Sequence, residues 1–134
     1  MVVNDDIAYV TLRSGNACEG FTDQLDVIDI RDLTRPRLIK SYEMDNPHGL
    51  GISGSTLFIC EGRYGLKVFD AANPRTIDAH RLAHFTDVHA YDVIPLGDVL
   101  MMVGDDGLYQ YDYADPRRVK QLSRLIITPP TAQQ

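Results

Sequence analysis

Three stretches of the chain are near copies of one another. Leu25-Asp26-Val27-Ile28-Asp29 returns as Leu66-Lys67-Val68-Phe69-Asp70, and again as Leu108-Tyr109-Gln110-Tyr111-Asp112. The closing aspartates are spaced by 41 and then 42 residues. Other landmarks keep the interval: His48 and His89 differ by 41, Gly65 and Gly107 by 42, and Pro74 and Pro116 by 42. A chain with this period builds one supersecondary unit several times and stacks the copies, because a single unit cannot bury its own apolar side.

The unit reads as strands. Ile7 to Leu12, Leu25 to Ile30 and Leu38 to Tyr42 are rich in β-branched and aromatic residues, with turn residues between them. The second unit opens at Pro47-His48-Gly49 and continues through Leu57-Phe58-Ile59-Cys60 to the second marker and a weaker strand around Ala79 to Phe85. The third runs from Val88 to Ile94, turns at Pro95-Leu96-Gly97-Asp98, and continues through Val99 to Val103 and the third marker to a strand over Val119 to Ile127. No segment keeps a helical period. Several strands carry apolar residues at successive positions, which suits a sheet packed on both faces. Four short strands with their turns fill about 40–45 residues, the length of a β-propeller blade. The expected fold is all-β and propeller-type, with about three four-stranded antiparallel blades forming a partial ring or half of a ring. The blades span approximately 1–45, 46–86 and 87–128, with a tail over 129–134.

These residues resemble the LVIVD-repeat family of bacterial β-propellers. The resemblance lies in Leu25 to Ile30, followed by Asp32, Arg35-Pro36 and Leu38 to Tyr42, with echoes at 66–74 and 108–116 and in Tyr9 to Gly15. It covers roughly residues 2–128 and looks like the C-terminal part of such a protein. It implies a fold more than a function, since members are longer and mostly of unknown function. It also implies an extracytoplasmic or cell-surface setting, although no signal peptide is visible in this sequence.

Charge and composition narrow the partners. A net charge of −6 argues against nucleic acid, which needs a basic footprint. No run approaches the ~20 apolar residues of a membrane span. A homodimer completing a six-bladed ring is one expected partner arrangement, in which head-to-tail interfaces must close at two subunits. Its rival is a domain cut from a longer parent.

In a propeller the loops from second to third strand, and from fourth to next-first strand, emerge at one end and commonly surround a ligand. Here they carry Cys18, Glu19, His48, Cys60, Glu61, Arg63, Tyr64, His89 and Asp105. The ligand-binding set expected at that end is His48, Glu61, Arg63, Tyr64, His89 and Asp105, with Arg63 and Tyr64 as interface-type anchors. The main reading is a non-enzymatic binding or assembly module with no catalytic residues, metal or cofactor, its ligand a protein or a small molecule. The alternative is a metal-dependent hydrolase or lyase using the His48, Glu61, His89 and Asp105 cluster, which Cys60 could join. No HExxH, CxxC, phosphate loop or nucleophile elbow supports it, and histidines that bond backbone between blades explain the same residues. A Cys18–Cys60 disulfide is geometrically conceivable and left open. Asp29, Asp70 and Asp112 are expected to bond the amides of the turns that follow them.

Overall fold

The computed structural model describes residues 1–14 and 22–127. Among them, twelve strands form three four-stranded antiparallel sheets, each a meander. Blade one holds β1 (Val2–Asn4), β2 (Ile7–Leu12), β3 (Gln24–Asp29) and β4 (Arg37–Glu43). Blade two holds β5 (Leu50–Ser53), β6 (Thr56–Cys60), β7 (Leu66–Asp70) and β8 (Arg81–Phe85). Blade three holds β9 (Ala90–Leu96), β10 (Val99–Gly104), β11 (Gly107–Asp112) and β12 (Lys120–Ile126). The first strands neighbour one another across blades, β1 beside β5 and β5 beside β9. The fold is the all-β, propeller-type repeat that the marker sequences imply.

The successive apolar residues have a direct structural explanation. Along β6, Leu57 and Ile59 pack toward blade one, in a cluster with Tyr9, Leu25, Val27 and Tyr42. Phe58 and Cys60 point the other way and pack with Val93, Leu100, Met102 and Tyr109 of blade three. Period-two alternation therefore serves two cores, and both sets must be apolar. All four β6 side chains are fully buried. Truncating one such residue, Phe58→Ala, costs about 3–5 kcal/mol by the usual cavity penalty.

The repeat is equally plain in the hydrogen bonds. Asp29, Asp70 and Asp112 each accept from the amide two residues on, Arg31 at 3.0 Å, Ala72 at 2.9 Å and Ala114 at 2.8 Å. Three residues later Asp32, Asn73 and Asp115 do the same for Thr34, Arg75 and Arg117, each at 3.0 Å. The aspartate series thus shapes the turn from third to fourth strand, as short side-chain acceptors do. Gly65 and Gly107 hold a second shared position. A Cβ there would lie 1.8 Å from the Phe85 carbonyl oxygen and 2.0 Å from that of Leu125, so the marker strand and its outer neighbour meet only across glycine.

Three details differ from the sequence expectation. Ile77–His80 forms a short 3-10 turn before β8, with the buried Ile77 locking it into the core. Its amide donates to the Tyr42 hydroxyl at 3.1 Å, which in turn donates to the Pro74 carbonyl at 2.6 Å. Pro95 and Leu96 belong to β9 and not to the turn. An edge strand tolerates proline because its outward side needs no ladder donor. Finally, His89 does not occupy the place of His48. The pairs Thr56–Asp70 and Val99–Asp112 align β6 with β10, and Leu50–Ile59 and Val93–Met102 then align β5 with β9. Beyond that point β9 is bulged, with Asp92 paired to Val103 and Ala90 to Gly104, so Ala90 and Tyr91, and not His89, stand at the level of His48. The two strands are offset by 43 residues (93 − 50), one more than the 42 between the marker aspartates because the loop into β11 is one residue shorter than the loop into β7, whereas the histidines are 41 apart.

Candidate functional site

The loops 44–49, 61–65, 86–89 and 105–106 gather at one end of the blades. Backbone bonds stitch them together: Gly62 and Ala90 exchange N–H···O contacts of 2.9 and 3.0 Å, and the Gly49 amide donates to Tyr91 at 2.8 Å. A Cβ on Gly49 would fall 2.1 Å from Asp92 Oδ1, so the close approach of blades two and three at this point depends on glycine.

His48 stands where the three blades meet. Its backbone carbonyl accepts from the Thr11 hydroxyl of blade one at 2.8 Å. Its ring Nε2 lies 2.7 Å from Arg13 Nη1 and 3.2 Å from Asn46 Nδ2, and its edge meets the Tyr91 ring of blade three at 5.2 Å between centroids. Arg13 Nη1 also meets Nδ1, and a guanidinium, which can only donate, set against the ring favours the neutral imidazole over the imidazolium. Burial and the Arg13 guanidinium both hold the His48 pKa below its ordinary value.

Glu61 is fully buried. One carboxylate oxygen accepts from the Asp45 amide at 2.7 Å, and the other is met by the Lys67 ammonium. Lys67 also reaches Asp45 Oδ2 at 2.8 Å. Burial opposes the lysine's charge, but the two carboxylates outweigh it and raise its pKa. A buried carboxylate so occupied is a structural tie between the β4–β5 connection and β7.

The other expected residues fall into smaller groups. His89 Nδ1 and Asp105 Oδ2 lie 3.2 Å apart, both half exposed. Arg63 lies over the Tyr64 ring at 5.2 Å from its centroid, and both side chains face solvent. The Tyr64 carbonyl faces His84 Nε2 at 2.7 Å. Cys60 is sealed in the core, and burial with the nearby Asp92 pushes its thiol pKa far up, so it is no ready thiolate. Among the described residues no three His, Cys, Asp or Glu side chains converge into a set that could hold a metal ion. Cys18, Glu19 and the disulfide question lie outside the described residues.

Asn46, Arg13 and Tyr91 complete the His48 cluster, and none of them carried a sequence signal. Lys67 did carry one: a lysine inside a strand packed on both faces requires a carboxylate partner. Asp106 accepts from the Tyr109 hydroxyl at 2.5 Å and so raises its pKa. The neighbouring Tyr111 is pushed up to about 12, chiefly by burial and by Asp87. A separate cleft of about 670 Å³ opens between blades one and two, lined by Lys40, Glu43, Lys67, Asp78 and Arg81 among others.

No family model matches the sequence, and no curated protein matches it either. No helix among the described residues is long and apolar enough to cross a membrane.

Proposed function

We propose that the chain is a non-enzymatic binding module of the LVIVD-type bacterial propeller kind, taking a ligand at its loop-rich end and working within a closed ring. What supports this reading is the meeting of three blades around His48. Thr11 and Arg13 from blade one, Asn46 from blade two and Tyr91 from blade three converge there. A rigid floor of paired backbone, with polar and aromatic side chains rising from different blades, is the usual build of a propeller ligand surface. Arg63, Tyr64, His89 and Asp105 form its exposed rim. The ring of this reading is completed by a second copy of the chain or by further blades of a longer parent.

The test is a chemical-shift map of the labelled chain titrated with a soluble fragment library. Shifts clustered at residues 46–49, 61–64, 89–91 and 104–106, and weakened by Arg63→Ala, are expected. Shifts confined to the cleft beside Lys40 and Arg81 would move the site to the groove between blades one and two and overturn this reading.

A further inference from the structure

We infer that the cleft between blades one and two is a binding site of its own, taking a small ligand by a carboxylate or phosphate group held between Arg81 and Lys40. It lies apart from the loop-rich end and does not rest on a ligand there.

The cleft exists because blade two departs from the repeat. Ile28 pairs with Leu38 and Tyr111 with Gln121, each ten residues on, whereas Phe69 pairs with Arg81, twelve residues on. The extra length is taken up in the 3-10 turn Ile77–His80, which has no counterpart in the other two blades among the described residues. Insertions in single repeats of such arrays often line the binding face. This one is fixed in place: Ile77 is fully buried, and His80 Nδ1 lies 2.7 Å from the Thr76 carbonyl oxygen. The turn and β8 form one wall and β4 the other. The space of about 670 Å³ between them is within the range of small-molecule pockets.

Alternation along the strands decides which charges face into it. Tyr42 and Phe69 pack in the junction between blades one and two, so Lys40 and Lys67, each two residues earlier on the same strand, point the same way. Arg81 stands opposite Phe69 and shares that side. Glu43 borders the cleft but alternates with Ser41 to the other side of β4, where the Ser41 hydroxyl donates to Asp26 at 2.6 Å.

The inward cations are not equally occupied. Lys67, toward the loop-rich end, already holds Glu61 and Asp45. The Lys40 ammonium sits 4.7 Å from the centre of the Tyr42 ring and donates to the Arg75 carbonyl at 3.1 Å, which leaves it hydrogens for another acceptor. Asp78 is 3.8 Å from it, a loose and exposed pair of little strength. The Arg81 side chain has no hydrogen bond or ion pair among the described residues. At this end two cations therefore face one acid, in a chain whose net charge is −6. A guanidinium fork fits a carboxylate or phosphate with two parallel bonds, and Lys40 adds a point charge beside it.

The experiment is a titration of the labelled full chain with inorganic phosphate and, separately, succinate at constant ionic strength, read in proton–nitrogen spectra of the amides and arginine Nε–H groups. Saturable shifts are expected at residues 40–44 and 77–81 and at Arg81 Nε–H. Arg81→Gln should weaken binding about tenfold or more with the thermal midpoint unchanged. Asp78→Asn, which removes the competing acid and leaves Arg81 in place, should tighten it. A response to one probe alone identifies the head group as phosphate or carboxylate, and a response to both means that the site reads the oxyanion they share. No saturable shift with either probe would overturn the proposal, as would equal shifts at Arg31, Arg117 and Arg118, which mark general screening. Shifts at 46–49 and 89–91 instead, or an affinity unchanged in Arg81→Gln, would overturn it too.

Discussion

Lys67 and Glu61 form an ion pair beneath the loop-rich end, between a fully buried carboxylate and a lysine side chain only 12% exposed. The pair holds β7 against the β4–β5 connection through Asp45. Removing one member strands the other charge in the interior, which costs about 3–5 kcal/mol. Lys67→Met should therefore lower stability by that order in urea unfolding. The double variant Glu61→Gln/Lys67→Met should recover much of the loss. A purely additive double variant would show that the two side chains do not act as a pair.

Acid should loosen the three-blade junction through His48. Its folded pKa lies below the ordinary 6.5, so the folded state binds fewer protons than the unfolded chain as pH falls through that value. The contribution is full above pH 6.5 and is lost on acidification toward the folded pKa. Urea midpoints between pH 7.5 and 5.5 should fall more steeply for wild type than for His48→Gln. Equal slopes would remove His48 from the account.

Glycine is required by contact at Gly65 but not at Gly54. Both have positive φ, 93° and 57°, yet a Cβ meets the Phe85 carbonyl at the first and nothing within 4 Å at the second. Gly65→Ala should destabilise by more than about 1 kcal/mol. Its thermal midpoint should fall clearly below that of Gly54→Ala. Similar midpoints would mean that the outer strand gives way easily.

The turn aspartates should behave as local acceptors. Asp70→Ala removes the bond to the Ala72 amide and should cost about 0.5–1.5 kcal/mol. Asp70→Asn keeps an acceptor in place and should recover most of that loss in the same unfolding assay. A loss of equal size in both variants would point to the charge instead of the hydrogen bond.

The repeat, the strands and the structural task of Asp29, Asp70 and Asp112 were legible in the amino-acid order, because each depends on neighbours within a few residues. The two-sided packing expected for Leu25 to Ile30 and Val99 to Val103 reaches only one face of each strand, where Leu25, Val27, Leu100 and Met102 are buried while Val103 is 49% exposed. The strand buried on both sides is Leu57 to Cys60 of the middle blade, because which strand has a blade on either side is not a local property. The short 3-10 turn was not legible, because it depends on Ile77 reaching a core shared with blade one and on the hydroxyl of Tyr42, 35 residues away.

The candidate site divides in the same way. The order of residues determined which loops carry His48, Glu61, Arg63, Tyr64, His89 and Asp105, through strand count and turn spacing alone. Only the tertiary structure decided that His48 meets Arg13, Asn46 and Tyr91, that Glu61 is closed off by Lys67, and that His89 pairs with Asp105 away from His48's place. The physical reason is register. One residue fewer in a loop changes which side chain stands opposite which, and that choice is made by packing between blades rather than within a strand.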